Sequence, residues 1–261
     1  MTYNILFLDI DGTILKPDHT YSASTKEAIS QAKAKGIEVF LATGRPLHEI
    51  ADLAMELGVD SFIGYNGAYA VYQNETILDE PINTNTVEQF LEIAENNGQE
   101  IVLYTNEKNY FTALDSPATS NFIETFQMVK NERFTKAVMD RVLGATIMKL
   151  DPSQASLYEI EADIRLSQVN IEGVQHCYDI IRKSVNKGEA IKNVLKRLDI
   201  PKEKAIAFGD GMNDKEMLQT VGESFAMANA HPDLFDFAKH RTTSVEESGI
   251  FNGLKKLGIV G

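Results

Sequence analysis

The chain has no tryptophan, a single cysteine, and only 25 lysines and arginines against 38 acids. Each shortage excludes a class of protein. One cysteine, Cys177, cannot close a disulfide within the chain, which excludes a disulfide-stapled secreted scaffold. A formal charge of −13 offers no basic groove to a polyanion, so nucleic acid is not an expected partner. No apolar run approaches the roughly 20 residues that span a bilayer. Met1-Thr2-Tyr3-Asn4 lacks the basic segment of a secretory signal, so the expectation is no membrane and a cytoplasmic location. The five histidines (His19, His48, His176, His231, His240) are scattered, with no pair at metal-ligand spacing. Neither G-x-G-x-x-G nor G-x-x-x-x-G-K-[ST] occurs. What is present is 261 residues, 43% hydrophobic and 24% charged, enough for one large domain or two ordinary ones with a sizeable core.

Hydrophobic patterning divides this length into two kinds of structure. Residues 4–9 read as a short continuous apolar strand of the kind buried on both faces of a parallel sheet, and 37–42 reads as a second buried strand. A helix follows the first, with Ser24 and Glu27 spaced as a capping box and Gly36 at its end. A helix opening at Pro46 follows the second, with Leu47, Ile50, Leu53, Ala54 and Leu57 inward and Gly58 after it. This β-α-β-α order predicts a doubly wound parallel, Rossmann-like sheet of the α/β class. Asn66-Gly67 and Asn74-Glu75 then read as hairpin turns. Between 83 and 183 the chain alternates helices (86–95, 118–128, 154–165) with strands (101–104, 110–114, 145–150, 174–181), which suits an independent α+β domain with antiparallel strands. After 183 the α/β alternation resumes, with helices at 188–198 and 213–221 and strands at 205–208 and 225–228. The expected layout is a core domain of 1–82 and 184–261 interrupted by an inserted α+β domain of 83–183, with hinges at 81–84 and 183–186.

Polar residues collect where the apolar strands end. The first strand runs into Asp9-Ile10-Asp11-Gly12-Thr13 and the second into Thr43-Gly44-Arg45-Pro46. The strand at 205–208 runs into Gly209-Asp210-Gly211-Met212-Asn213-Asp214. The carboxyl ends of parallel strands are where open α/β sheets bind ligands. Thr43 and the free N–H of Gly44 form a small anion cradle. Lys187 opens a helix, where its charge opposes the macrodipole unless an anion lies nearby. Asp9, Asp11, Asp210 and Asp214 supply hard oxygen ligands, a set suited to Mg²⁺ and not to zinc.

These four motifs, in this order, resemble those of the haloacid dehalogenase superfamily of phosphotransferases. The insert between the second and third motifs, preceded by Asn66-Gly67-Ala68, is similar to the type IIB (Cof-like) branch. Asp11 favours phosphate-ester chemistry, because the dehalogenase and phosphonatase branches lack an acid there. Two positions depart from the branch: Asp179, where Glu is common, and Asn186, where Ser is common.

The resemblance implies a Mg²⁺-dependent phosphatase acting on small phosphorylated metabolites through an aspartyl-phosphate. Asp9 is the implied nucleophile and Asp11 the general acid and base. The carboxylates of Asp9 and Asp210 and the main-chain carbonyl of Asp11 are the implied metal ligands, with Asp214 orienting metal-bound water. Ile10, Thr43, Gly44, Lys187 and Asn213 are the implied phosphate ligands, and the insert selects the substrate. A phosphomutase on the same fold and a non-catalytic sensor of phosphorylated metabolites are the alternatives; a sensor has no need of Asp11.

Overall fold

The structure is a computed structural model and describes residues 2–261. In chain order its first segment contains β1 (Ile5–Leu8), α1 (Ala23–Ala34), β2 (Glu38–Ala42), α2 (Ala51–Leu57), β3 (Ser61–Gly64), β4 (Tyr69–Tyr72) and β5 (Glu75–Asp79). The middle segment contains α3 (Thr84–Asn97), β6 (Glu100–Tyr104), β7 (Asn109–Phe111), α4 (Pro117–Phe126), β8 (Asn131–Arg133), β9 (Gly144–Met148), β10 (Ile164–Gln168) and β11 (Tyr178–Arg182). The last contains α5 (Lys187–Arg197), β12 (Ala205–Gly209), α6 (Lys215–Thr220), β13 (Glu223–Ala226), β14 (His240–Arg241) and α7 (Gly249–Lys256). Contacts gather these into two compact units. One takes the chain up to Arg45 together with Ala51–Asp79 and Asn186–Gly261; the other takes Pro46–Ile50 and Glu80–Val185.

The first unit is built on a sheet of order β14-β13-β12-β1-β2-β3-β4-β5, parallel from β14 to β3 and antiparallel over β4 and β5. Every residue of β1 is buried, which is why its sequence is apolar without alternation. β1 lies in the middle, with Leu8 opposite Phe208 on one side and Leu41 on the other, so three strand ends finish level. Ile191, Val194 and Leu195 of α5 and Met217 and Leu218 of α6 cover one face through a cluster that includes Ile5, Phe7 and Phe40. The turn expected at Asn66-Gly67 is present, and the one expected at Asn74-Glu75 falls one residue earlier, since Glu75 already pairs in β5. Tyr65–Gly67 joins antiparallel β3 and β4, while Gln73 and Asn74, at φ 47° and 68°, make the two-residue turn between β4 and β5.

Two expectations for the first helices need correction. The cap of α1 is Ser22, whose side chain accepts from the Thr25 amide at 3.2 Å; Ser24 lies inside the helix and donates to Ser248 Oγ. Ser22 is the residue with extended φ and ψ, so the helix begins two residues earlier than the capping-box spacing indicates. Pro46 does not open an α-helix. It leads into a 3-10 turn, Leu47–Glu49, and α2 starts only at Ala51.

The second unit holds a six-stranded sheet, β10-β11-β9-β6-β7-β8, antiparallel except for the β7–β8 pair. Side chains alternate across it. Ile101, Leu103 and Ile147 pack with Phe90 of α3, whereas Val102 and Met148 pack with Phe122 of α4 and Cys177. Cys177 is buried but precedes β11 instead of lying in the strand expected at 174–181. The helix expected at 154–165 is absent; a 3-10 turn, Pro152–Tyr158, is followed by edge strand β10. Only Ile164 of β10 is buried, so the segment carries almost no alternation to mark it as a strand.

Candidate active site

The rim of the first unit's sheet is where β1, β2 and β12 end, and α5 begins beside them. Lys187, the first residue of α5, is fully buried. Its Nζ donates to Asp9 Oδ1 at 2.5 Å and to Asp214 Oδ1 at 2.6 Å. The unfavourable placement of a lysine at a helix start is thereby resolved by two carboxylates. Asp214 Oδ2 accepts from the main-chain amides of Asp210 and Gly211, each at 3.0 Å, which ties the loop after β12 into a fixed turn. Thr13 Oγ1 donates to Asp210 Oδ1 at 2.9 Å, joining the first motif to the fourth. Gly12, at φ 83°, backs onto the Asp210 carboxylate, where any Cβ would collide with it.

One oxygen each from Asp9, Asp210 and Asp214 lies within 4.8 Å of the others, so this triad could hold a metal ion. Burial, and then the charge of Asp214, hold the Asp9 carboxyl well above its ordinary range, with Lys187 only partly compensating. Burial pushes Asp210 up to about 6 against the hydrogen bond from Thr13. Burial alone would favour the neutral amine of Lys187, but Asp214 and Asp9 outweigh it and keep it an ammonium. Three carboxylates face one ammonium, so the cluster is one or more positive charges short. The donor set is oxygen only, as a hard divalent cation requires. Mg²⁺ therefore fits these residues. Asp214 enters the triad by position, yet both its oxygens are already engaged, whereas Asp9 and Asp210 each keep one oxygen free of the bonds above.

The other sequence-predicted residues sit around this cluster. Thr43 is buried and its Oγ1 accepts from the Arg45 amide at 3.0 Å. The amides of Ile10 and Gly44 lie outside the strands and donate to no main-chain carbonyl among the described residues. Asp11 is not part of the triad. Its carboxylate, half-exposed, is gripped by Arg45, with Nε to Oδ2 at 2.8 Å and Nη2 to Oδ1 at 2.5 Å. Asn213 Nδ2 donates to Asn66 Oδ1 at 3.1 Å. Sequence reasoning gave no role to Arg45 or Asn66. The first was visible only as the residue after Thr-Gly, and the second as a turn former and as part of Asn66-Gly67-Ala68 in the branch resemblance.

Comparisons with known proteins bear on the family and the fold. A family model described as haloacid dehalogenase-like hydrolase matches residues 6–254. The chain is 26% identical to the 5-amino-6-(5-phospho-D-ribitylamino)uracil phosphatase YitU of Bacillus subtilis, over 97% of this chain and 96% of that protein. A crystal structure of a Geobacillus kaustophilus protein superimposes with a TM-score of 0.91 at 28% identity, covering 99% of this chain and 100% of the other. The HAD subclass IIB sugar phosphatase BT4131 superimposes at 0.82 with 24% identity, covering 98% of this chain and 100% of the other, a likeness of fold.

Proposed function

The chain belongs to the haloacid dehalogenase-like hydrolases, acting on phosphoric monoesters, and on that premise we propose that it hydrolyses small phosphorylated metabolites, sugar phosphates or phosphorylated cofactors, by way of an aspartyl-phosphate. The observation that carries this reading is the pairing of Lys187 with Asp9. A buried ammonium fixes one oxygen of the carboxylate and leaves the other free of that bond, as a nucleophile requires.

In the first step Asp9 Oδ2 forms a bond to phosphorus as the bond to the ester oxygen breaks. Asp11, once released from Arg45 and protonated, gives its proton to that departing oxygen. In the second step a water oxygen attacks the phosphorus and Asp11 takes the water's proton. The Asp9–phosphorus bond opens, releasing orthophosphate and restoring the carboxylate. Amide hydrogens of Ile10 and Gly44, the Thr43 hydroxyl, the Asn213 amide and the third hydrogen of Lys187 hold the terminal phosphoryl oxygens, and this positioning supplies most of the rate. When Mg²⁺ is bound, held by Asp9, Asp210 and the main-chain carbonyl of Asp11, it supplies the positive charge that an acidic site needs to accept an anionic ester. Asp214 stays on Lys187 and the amides of Asp210 and Gly211, steadying the cluster from behind. Residues 83–183 carry substrate choice in this reading. The named substrates of YitU and BT4131, a ribityl phosphate and sugar phosphates, support a polyhydroxylated ester.

A panel of phosphorylated sugars, polyols and cofactors, assayed for orthophosphate with Mg²⁺ and with chelator, tests the proposal on wild type and Asp9→Asn. Mg²⁺-dependent release that Asp9→Asn abolishes is the expected result. Chelator-resistant turnover, or an active Asp9→Asn, would overturn it. Isomerised product without orthophosphate would identify a mutase instead.

A further inference from the structure

The turn between β3 and β4 does more than reverse the chain. Tyr65, Asn66 and Gly67 take φ values of 54°, 54° and 108° in succession, and two of the three are not glycine. Non-glycine residues occupy this region uncommonly, asparagine more readily than most, and it recurs in tight turns and at functional sites. The contacts that hold this turn are at the rim. The Tyr65 amide donates to the Arg45 carbonyl at 3.3 Å and the Asn66 amide to the Thr43 carbonyl at 3.1 Å. Gly67 approaches the Asn186 carbonyl and the Lys187 amide so closely that a Cβ would overlap the former. With the bond from Asn213 to Asn66, one turn docks on the loops after β2 and β12 and on the start of α5.

The Asn66 carboxamide sits at the centre of this docking. Both its terminal atoms lie 3.0 Å from where a Cβ on Gly44 would stand, so the amide covers the bare face of that glycine. Its Oδ1 is occupied by Asn213, while its Nδ2 donates to nothing among the described residues. Beside it the Gly44 amide lacks a carbonyl partner as well. Two unused donors from two loops therefore lie close together beside Thr43, one in the residue after it and one in the residue whose main-chain amide bonds to its carbonyl.

We propose that Asn66 is a further phosphoryl ligand, its Nδ2 donating to the same terminal oxygen as the Gly44 amide while its Oδ1 holds Asn213 in place. The proposal rests on the phosphatase reading above and adds a binding residue to it. The ligand chemistry is a tetrahedral oxyanion, whether ester phosphate or free orthophosphate. Asn66→Gly keeps the turn, because glycine accepts the positive φ, and removes both the Nδ2 donor and the hold on Asn213. Asn66→Asp retains an oxygen acceptor for Asn213 but exchanges the donor for a second acceptor and adds a negative charge.

The experiment measures orthophosphate inhibition constants, and kcat and KM for two esters with different leaving groups, on wild type and both variants, with circular dichroism as a check of fold. A hydrogen bond to a charged group predicts orthophosphate binding weaker by about 10- to 100-fold in Asn66→Gly. The same factor should appear in kcat/KM for both esters, and Asn66→Asp should be at least as impaired. A folded Asn66→Gly with the wild-type inhibition constant overturns the assignment, as does a loss confined to one ester. Wild type that neither binds orthophosphate nor hydrolyses any ester overturns this assignment and the phosphatase reading together, whereas an active wild type with unaffected variants overturns the assignment alone.

Discussion

Lys187→Met removes the ammonium on which two buried carboxylates depend, and it keeps most of the aliphatic stem that packs there. Nζ lies 2.5 Å from Asp9 Oδ1 and 2.6 Å from Asp214 Oδ1, with no solvent exposure. Two unit charges about 4 Å apart at an effective dielectric of about 20 attract by about 4 kcal/mol. Breaking a buried pair by deleting one partner costs about 3–5 kcal/mol, since the abandoned charge stays desolvated. The two carboxylates can limit the damage by taking up protons, at 1.36 kcal/mol for each pH unit between their pKa and the medium. The expected loss for metal-free protein near neutral pH is therefore about 3–5 kcal/mol, a large part of a domain's usual total of about 5–15 kcal/mol. At about 2–4 °C per kcal/mol for a domain of this size, the melting transition should fall by about 6–20 °C. Calorimetry in chelator checks this, and only the transition of the unit that contains Lys187 should move. Added Mg²⁺ supplies an opposite test. The variant's cluster is more negative by one charge, so its transition should rise more with Mg²⁺ than that of wild type. A variant that melts with wild type, or that gains less from Mg²⁺, would refute the account of Lys187 as the charge that keeps this cluster folded.

Three further outcomes are expected. Asp210 titrates at about 6 in the folded protein against an ordinary 3.8, so its proton is held more tightly folded than unfolded, and the stability this confers is full at pH below 3.8 and lost as pH rises through 6. At 1.36 kcal/mol per pH unit the loss is about 3 kcal/mol, and Asp210→Asn should recover up to that much in urea unfolding at pH 8 with chelator, while forfeiting part of the Mg²⁺ gain; a variant no more stable than wild type at pH 8 contradicts this. Gly67→Ala combines a φ of 108° with a Cβ driven into the Asn186 carbonyl, so it should cost at least about 1–3 kcal/mol and lower orthophosphate affinity, both read from one set of thermal shifts with and without ligand. Burial pushes the Cys177 thiol up to about 12, so a thiol reagent at pH 8 should label it only after unfolding; rapid labelling of native protein would place it at the surface.

How much of this was legible in the sequence follows from the range over which each signal acts. β1, β2 and β12 were readable because burial on both faces demands runs that are apolar or nearly so, Glu38 at the start of β2 being the exception, and the polar residues that end them needed no fold to be noticed. The strands that escaped notice, β8, β10 and β14, are short or exposed edge strands made by pairing and not by pattern. α7 escaped because Gly249 and Gly253 break the appearance of a helix, although Gly253 is there to admit the Phe208 ring, which a Cβ would strike. At the site, the residue types were legible but their partners were not. The grip of Arg45 on Asp11 spans 34 positions and that of Asn66 on Asn213 spans 147. No local spacing encodes such pairs; they exist only once the sheet order sets the loops side by side.

That sheet order has a consequence for how such a chain can change over time. β1 pairs with β2, its neighbour in sequence, but also with β12, so Ile5 stands opposite Ala205. Residues 80–185 lie inside the loop that this second pairing closes, and they roughly double its length. Closing a loop of doubled length costs only about 0.6 kcal/mol. The segment to which we assign substrate choice can thus be lengthened, shortened or exchanged by a lineage at an entropic cost smaller than the net worth of one ordinary hydrogen bond, about 1 kcal/mol. Ester specificity is free to drift while the rim that performs the chemistry stays where β1 and β12 put it.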